Sequence, residues 1–194
     1  MRFYLCSKLL AVNQVQLAEF TGLSLAGLVH KLDRDFYGVI TKICKETSEN
    51  TASIEELEVH QSNSQYLLSC KKLMSKVCQY VKTLYEYFIP YFNELDEKVK
   101  TNHDCLNCSG RCHFNHETKL AEFSNAHNNI KDVLYRLQML SLPLHLDTTH
   151  PEAYKTLRNQ IAILENTIND LFFLEEAVLI PKIIVAQKNI HVRS

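Results

Sequence analysis

The sequence has 194 residues, of which 46% are hydrophobic, and its 21 basic and 22 acidic residues give a formal net charge of −1. This length suffices for one domain with a substantial core, and the balanced charge gives no electrostatic reason to expect a nucleic-acid or anionic-membrane partner. Only four glycines and four prolines are present. All-β proteins need more turns than this, so the composition predicts long helices with few connections.

The N-terminus and the cysteines favour a cytoplasmic protein. Residues 1–6 do not lead into the apolar core and cleavage site of a signal peptide, and no apolar run reaches the roughly 20 residues of a membrane span. Four of the seven cysteines lie in helical patterns, where we expect reduced thiols that act as small apolar residues. These are Cys6, Cys44, Cys70 and Cys78.

Residues 1–50 are predicted to form a module of short helices. The predicted helices span 8–20, 25–32 and 35–45. A turn at 21–24 separates the first two, and Ser24 is a good N-cap for the second. The polar residues 46–53 are the predicted linker to the rest of the chain.

Residues 54–188 are predicted to form a helical bundle. The predicted helices span 54–100, 118–142 and 151–187, joined by loops at 101–117 and 143–150. Ser53 and Glu56 form a capping box that predicts a helix start at Ile54, and Pro90 is expected to kink the first helix. Three long helices need a fourth to close a bundle. We therefore predict an all-α, up-down bundle, with the fourth helix supplied by the N-terminal region or by the first part of 54–100.

The sharpest chemical feature is a cluster of cysteines and histidines in the loop at 101–117. Cys105 and Cys108 form a CxxC pair, Cys112 follows four residues later, and Gly110 lets the chain fold back. Thiolate and imidazole are the preferred donors for tetrahedral zinc, so three cysteines and one histidine complete a Cys3His site. The candidate ligands are Cys105, Cys108, Cys112, His103, His113 and His116.

Other interpretations of this cluster stay open. The same residues fit a loop of reduced thiols, a redox disulfide or an iron–sulfur cluster. Zinc modules usually spread two ligand pairs over a dozen or more residues, and this cluster is more compact. Zinc is the interpretation that we favour.

A histidine and two carboxylates are candidates for a second site inside the bundle. Glu175 lies one turn after Leu171, and His127 lies one turn after Phe123, which tilts both side chains towards the interior. The alternatives are a solvated acidic face at Glu175 and Glu176 and a hydrogen-bonded core histidine at His127.

The segment 174–182, with the sequence LEEAVLIPK, resembles the final helix of hemerythrin-like proteins, including the di-iron group linked to repair of iron–sulfur centres. The segment 80–90 resembles the first bundle helix of that family, and His127 resembles a ligand on the helix before the last. The similarity covers residues 65–187 and implies a hemerythrin-like bundle. The family binds iron through histidines and carboxylates from each helix.

The departures from this family pattern affect its metal ligands. Leu171 stands where the last helix of the family has a histidine. Lys131 stands where the family has a glutamate four residues after the histidine that His127 matches. Tyr80 or Tyr85 stands where the first bundle helix of the family has a histidine. His127 and Glu175 alone match, and a lysine in the site repels a cation. The resemblance therefore implies the fold and argues against the di-iron activity.

We predict a non-catalytic, zinc-binding bundle protein with a sensor, interaction or regulatory role. The first alternative is a hemerythrin-like iron-binding protein of stress response or iron–sulfur repair, with an altered site drawn from His127, Glu175, Glu176 and His60. The second is a helix-turn-helix DNA-binding regulator through residues 14–32, although 24–31 offers almost nothing to contact bases or phosphates. The expected partner is an unidentified protein or a second copy of the chain, rather than nucleic acid or a membrane.

Overall fold

The computed structural model describes residues 17–56, 64–103, 108, 116–146 and 152–191, and every regular element in these ranges is helical. The all-α prediction is confirmed. The long helices are α1 (Leu25–Leu32, Asp33–Tyr37 and Gly38–Glu56 in succession), α2 (Ser64–Thr83, Leu84–Phe88 and Ile89–Lys100), α3 (His116–Leu146) and α4 (Glu152–Leu174, Glu175–Leu179 and Ile180–His191). None of the described helices is both long and apolar enough to cross a lipid bilayer.

The long helices pack as an up-down bundle. The C-terminal part of α1 lies against the N-terminal parts of α2 and α4, and the N-terminal part of α2 also lies against α3. At the other end, the C-terminal part of α2 contacts both the beginning of α1 and the end of α4. The predicted bundle is therefore confirmed, and α1 is the fourth helix that the N-terminal region was expected to supply.

The beginning of α1 agrees with part of the N-terminal prediction. Residues 17–21 are helical, and the Oγ atom of Ser24 accepts the Gly27 N–H at 3.1 Å, so the predicted cap is confirmed. The helix then continues without a break through the predicted separate helix at 35–45. Its first two turns bury Leu25, Leu28, Val29 and Leu32. The burial concerns one face only, since Ser24 and His30 of the same segment are exposed.

The predicted linker at 46–53 is wrong, because α1 runs straight through it. Its threonine hydroxyls are satisfied within the helix: Thr47 donates to the Ile43 carbonyl and Thr51 to the Thr47 carbonyl, each at 2.7 Å. Both threonines are also buried in the bundle. Polar composition therefore does not mark a loop here.

The predicted helix start at Ile54 is wrong for the same reason. The Ser53 hydroxyl donates to the Glu49 carbonyl at 3.1 Å, one turn earlier in the same helix, so Ser53 does not cap a new one. The boundary expected between 50 and 54 falls inside a continuous helix that contacts α2 and α4.

Wide π-type turns occur once in α1, once in α2 and once in α4. The backbone N–H groups of Gly38, Ile89 and Ile180 donate to the carbonyls of Asp33, Leu84 and Glu175, five residues earlier. The second and third of these turns come just before Pro90 and Pro181. Because proline has no N–H, the hydrogen-bond ladder is interrupted at both places, and a wide turn absorbs the interruption while the helix continues.

Two predicted boundaries near the last loop are corrected. Helix α3 continues through Pro143 to Leu146, so the loop does not begin at Pro143. Proline keeps a helical φ and removes one hydrogen bond only, the one to the Met139 carbonyl, so the helix can continue for another turn. Helix α4 begins at Glu152 and extends beyond the predicted end at Gln187 to His191.

Candidate functional site

A polar cluster lies inside the bundle, with one residue from each long helix. We define this interior network as Tyr37 of α1, Tyr80 of α2, His127 of α3 and Glu175 of α4. Their exposed fractions are 1%, 4%, 1% and 0%. Such complete burial of polar side chains is tolerated only when they satisfy one another.

The hydrogen bonds of the interior network converge on the Glu175 carboxylate. Tyr37 Oη donates to Glu175 Oε1 at 2.8 Å, and Tyr80 Oη donates to Glu175 Oε2 at 2.7 Å. Because both tyrosine protons are used in this way, His127 Nε2 is the donor towards Tyr80 Oη at 3.0 Å and Glu175 Oε2 at 2.8 Å. A buried carboxylate is thus held by donors from the three other helices.

A polar path connects the interior network to the surface. His127 Nδ1 lies 3.2 Å from Glu176 Oε1, and Lys131 Nζ lies 2.6 Å from the same oxygen atom. The side chains of Glu176 and Lys131 are 47% and 43% exposed. The imidazole of His127 therefore bridges a sealed carboxylate and a solvated ion pair.

Aromatic rings seal the interior network from water. The His127 imidazole stacks on Phe172 with 3.9 Å between ring centroids and 15° between planes. Phe123 lies 4.7 Å from the same imidazole, and Tyr80 meets Phe172 edge-on at 5.6 Å. These contacts fix the orientation of the imidazole, and His127 Nδ1 is the network atom that reaches outward, towards Glu176.

The electrostatic environment fixes the protonation of the tyrosines and of Glu176. Burial raises the pKa of Tyr37 and of Tyr80 well above the usual value of 10.0, and the negative charge of Glu175 raises both further. For Glu176, partial burial acts to raise the pKa, but hydrogen bonds from Lys131 and His127 outweigh it and leave the pKa below its usual value of 4.5. At neutral pH the tyrosines are neutral donors and Glu176 is ionised.

Two members of the interior network lie in the wide turns. Tyr37 is the last residue of the first wide turn, and Glu175 is the first residue of the third. Along α1 the buried positions step from Leu32 to Tyr37, five residues apart, where a regular α-helix repeats every three or four. The extra residue rotates Tyr37 into the interior. Wide turns of this kind occur frequently at functional sites.

The structure brings together part of the predicted bundle site. His127 and Glu175 both point inward, as predicted, whereas Glu176 lies at the rim and His60 falls outside the described residues. Tyr37 was not among the predicted site residues, although it lies in the predicted helix at 35–45. Tyr80 was noted only as a residue standing where a histidine was expected, and its hydroxyl is the partner of both His127 and Glu175.

The interior network does not offer a ready metal site. In the described ranges, no three His, Cys, Asp or Glu side chains are grouped so that they could hold a metal ion. Both oxygens of Glu175 accept hydrogen bonds from tyrosine hydroxyls, and His127 Nε2 faces the same carboxylate. Lys131, where a further carboxylate was expected, forms an ion pair with Glu176.

The Cys/His loop starts from a fixed point at the end of α2. Asn102 has a positive φ of 51°, which places it in the left-handed region. Its N–H donates to the Val99 carbonyl at 3.3 Å, and the His103 N–H donates to the Lys98 carbonyl at 2.9 Å. This pair of bonds is a Schellman motif, which ends the helix and holds the backbone of His103 in place.

His103 has an unusual environment for a loop histidine. Its Nε2 atom is buried and has no hydrogen-bond partner in the described part of the chain. Cys108, the one loop cysteine among the described residues, has intermediate exposure. The other predicted ligands, Cys105, Cys112, His113 and the side chain of His116, lie outside the described residues.

No family model, curated protein or solved structure matches this chain. The hemerythrin-like resemblance therefore stays a prediction that rests on its quoted motifs. The helical bundle and the interior network stand on the geometry alone.

Replacing Tyr80 with phenylalanine is expected to destabilise the bundle by about 1.5–3 kcal/mol, the usual contribution of a hydrogen bond to a charged group. The change removes the hydroxyl that joins His127 to Glu175 and leaves the ring in place. Urea unfolding measures the effect. Tyr135→Phe is the matched control, since Tyr135 is 64% exposed, and it should shift stability by less than about 0.5 kcal/mol. Equal stability of the two variants would contradict the hydrogen bonding described here.

Proposed function

We propose that this chain is a non-catalytic zinc-binding bundle protein with a sensor or regulatory role, and that the loop at 103–116 holds the metal. The observation that carries this proposal is the buried His103 Nε2 atom, which has no partner among the described residues. Leaving a buried polar atom unsatisfied costs about 1–3 kcal/mol, and a bound metal ion would provide the partner that this nitrogen atom needs.

The surroundings of His103 support zinc in particular. The Schellman motif fixes its backbone, and Cys105, Cys108 and Cys112 follow within nine residues. Three thiolates and one imidazole make a closed tetrahedral set, which is typical of structural zinc and leaves no open position for a substrate. A closed set of this kind favours a non-catalytic role.

A metal in this loop would connect two helices of the bundle. His103 follows the end of α2, and His116 begins α3. Because zinc binding contributes directly to folding free energy, occupancy of the loop would stabilise the junction between the helices, and this coupling is the physical basis of a sensor. The reduced thiols of Cys44, Cys70 and Cys78 fit the cytoplasmic location that we propose. The partner in a regulatory role would be another protein or a second copy of the chain.

Replacing both Cys105 and Cys108 with serine tests this proposal. Loss of a structural zinc is expected to lower the melting temperature by on the order of 10 °C. A strong chelator should produce a similar loss in the unmodified protein and none in the double variant. Cys78→Ser is the control, because Cys78 is an exposed thiol on α2. Unchanged melting in the double variant and with chelator would leave a loop of reduced thiols as the better interpretation.

A second candidate function is iron binding inside the bundle, of the hemerythrin type. The observation that favours it is the buried contact between His127 Nε2 and Glu175 Oε2 at 2.8 Å, since these two residues match ligands that the resemblance implies. Tyrosine hydroxyls fill the remaining positions around Glu175, so iron would have to displace their protons. Purified protein that contained iron and showed a visible oxo-bridge absorption band would favour this candidate over zinc.

A further inference from the structure

A cleft of about 220 Å³ lies between α2 and α3, beside the interior network. Its buried lining consists of Tyr80, Phe88 and Ile130, with Ala126 half-buried next to them. Lys76 of α2 and Glu122 of α3 line the same cleft and are more exposed. The cleft therefore combines an apolar floor with one positive and one negative group at its edge.

Lys76 and Glu122 form no ion pair with each other or with any other residue in the part of the chain that the structure describes. Three other lysines of α2 do pair with carboxylates on the same helix, whereas Lys72, like Lys76, does not among the described residues. Lys82 pairs with Glu86 at 3.7 Å, Lys98 with Glu94 at 2.9 Å and Lys100 with Asp96 at 2.8 Å. Two opposite charges that share a cleft without meeting leave room for a ligand that carries both charges.

We infer that this cleft binds a small zwitterion, namely an α-amino acid with an apolar side chain. The carboxylate of the ligand would pair with Lys76, its ammonium group with Glu122, and its side chain would lie on Phe88 and Ile130. A simple anion would be repelled by Glu122 and a simple amine by Lys76. An apolar cavity of about 150 Å³ accommodates benzene, so the cleft of about 220 Å³ has room for a molecule of amino-acid size.

Binding in this cleft would be sensed by the interior network, because Tyr80 belongs to both. Tyr80 lines the cleft, and its hydroxyl bonds to Glu175 and His127. This inference is independent of the proposed zinc loop, which lies outside the residues that line the cleft.

Equilibrium dialysis of the full chain against L-leucine tests the inference, with N-acetyl-L-leucine and L-leucinamide as analogues that lack the ammonium and carboxylate charge. Saturable binding of leucine is expected, and each analogue should bind at least about tenfold more weakly. Lys76→Gln and Glu122→Gln should each weaken leucine binding by a similar factor. Lys72→Gln is the control, since Lys72 is exposed on α2 and does not line the cleft.

Two results would overturn the inference. One is the absence of saturable binding by leucine and by other apolar amino acids. The other is that the Lys76→Gln and Glu122→Gln variants bind leucine as strongly as the Lys72→Gln variant does. Because all three changes concern side chains that are not fully buried, melting curves should confirm that each variant is folded.

Discussion

Replacing Glu175 with alanine is expected to destabilise the bundle by about 3–5 kcal/mol, the usual cost of breaking a buried charged pair by removing one partner. The carboxylate is fully buried and accepts hydrogen bonds from Tyr37, Tyr80 and His127. Its removal leaves three donors without an acceptor in a site sealed by aromatic rings. Urea unfolding should show a lower midpoint with an unchanged slope.

Glu176→Ala is the matched control for this experiment. Glu176 is the next residue in the chain, is also acidic, and lies near the same imidazole. Because its side chain is 47% exposed, water screens its ion pair with Lys131, and the loss should be below about 1 kcal/mol. A Glu175→Ala variant as stable as the Glu176→Ala variant would show that the interior network does not hold the helices together.

Raising the pH above 10 is expected to destabilise the protein steeply. The pKa of Tyr37 and that of Tyr80 are raised well above 10.0 in the folded state, first by burial and then by the charge of Glu175. The unfolded chain therefore loses these protons near pH 10 while the folded chain keeps them. The stabilisation is fully present below pH 10 and is lost as the pH rises, by about 1.4 kcal/mol per pH unit for each tyrosine.

A comparison of variants measures how much of this loss of stability at high pH comes from the tyrosines of the interior network. The double variant Tyr37→Phe, Tyr80→Phe is expected to be less stable at neutral pH, but its stability should fall above pH 10 less steeply, by roughly 2–3 kcal/mol per pH unit. Tyr135→Phe, at an exposed position, should keep the unmodified slope. Urea unfolding at a series of pH values gives the slopes, and identical slopes in all three proteins would contradict the burial of these hydroxyls.

The sequence was sufficient for the all-α class and for the approximate positions of α2, α3 and α4, but it divided α1 into short helices and a linker. The segment 25–32 and its cap at Ser24 agree with the structure, because the capping and the apolar spacing there are local signals. The inward direction of His127 and Glu175 followed from helical spacing in the same way.

The continuity of α1 and the place of Tyr37 in the interior network depend on contacts that local sequence patterns do not encode. Polar residues at 46–53 suggested a linker, but packing against α2 and α4 outweighs their composition, and their hydroxyls bond within the helix. Tyr37 enters the interior network only because a wide turn adds one residue to the helical repeat. A five-residue step between Leu32 and Tyr37 is the signal that could have shown it.

Metal content is the most direct test of the central proposal, measured by elemental analysis of protein purified without added metal. A zinc site in the loop predicts about one zinc ion per chain in the unmodified protein and in Glu175→Gln, and none in the Cys105→Ser, Cys108→Ser double variant. His103→Ala should retain less zinc than the control His30→Ala, which changes an exposed histidine. Absence of metal from all of these proteins, or a metal that Glu175→Gln loses and the double cysteine variant keeps, would contradict zinc binding in the loop.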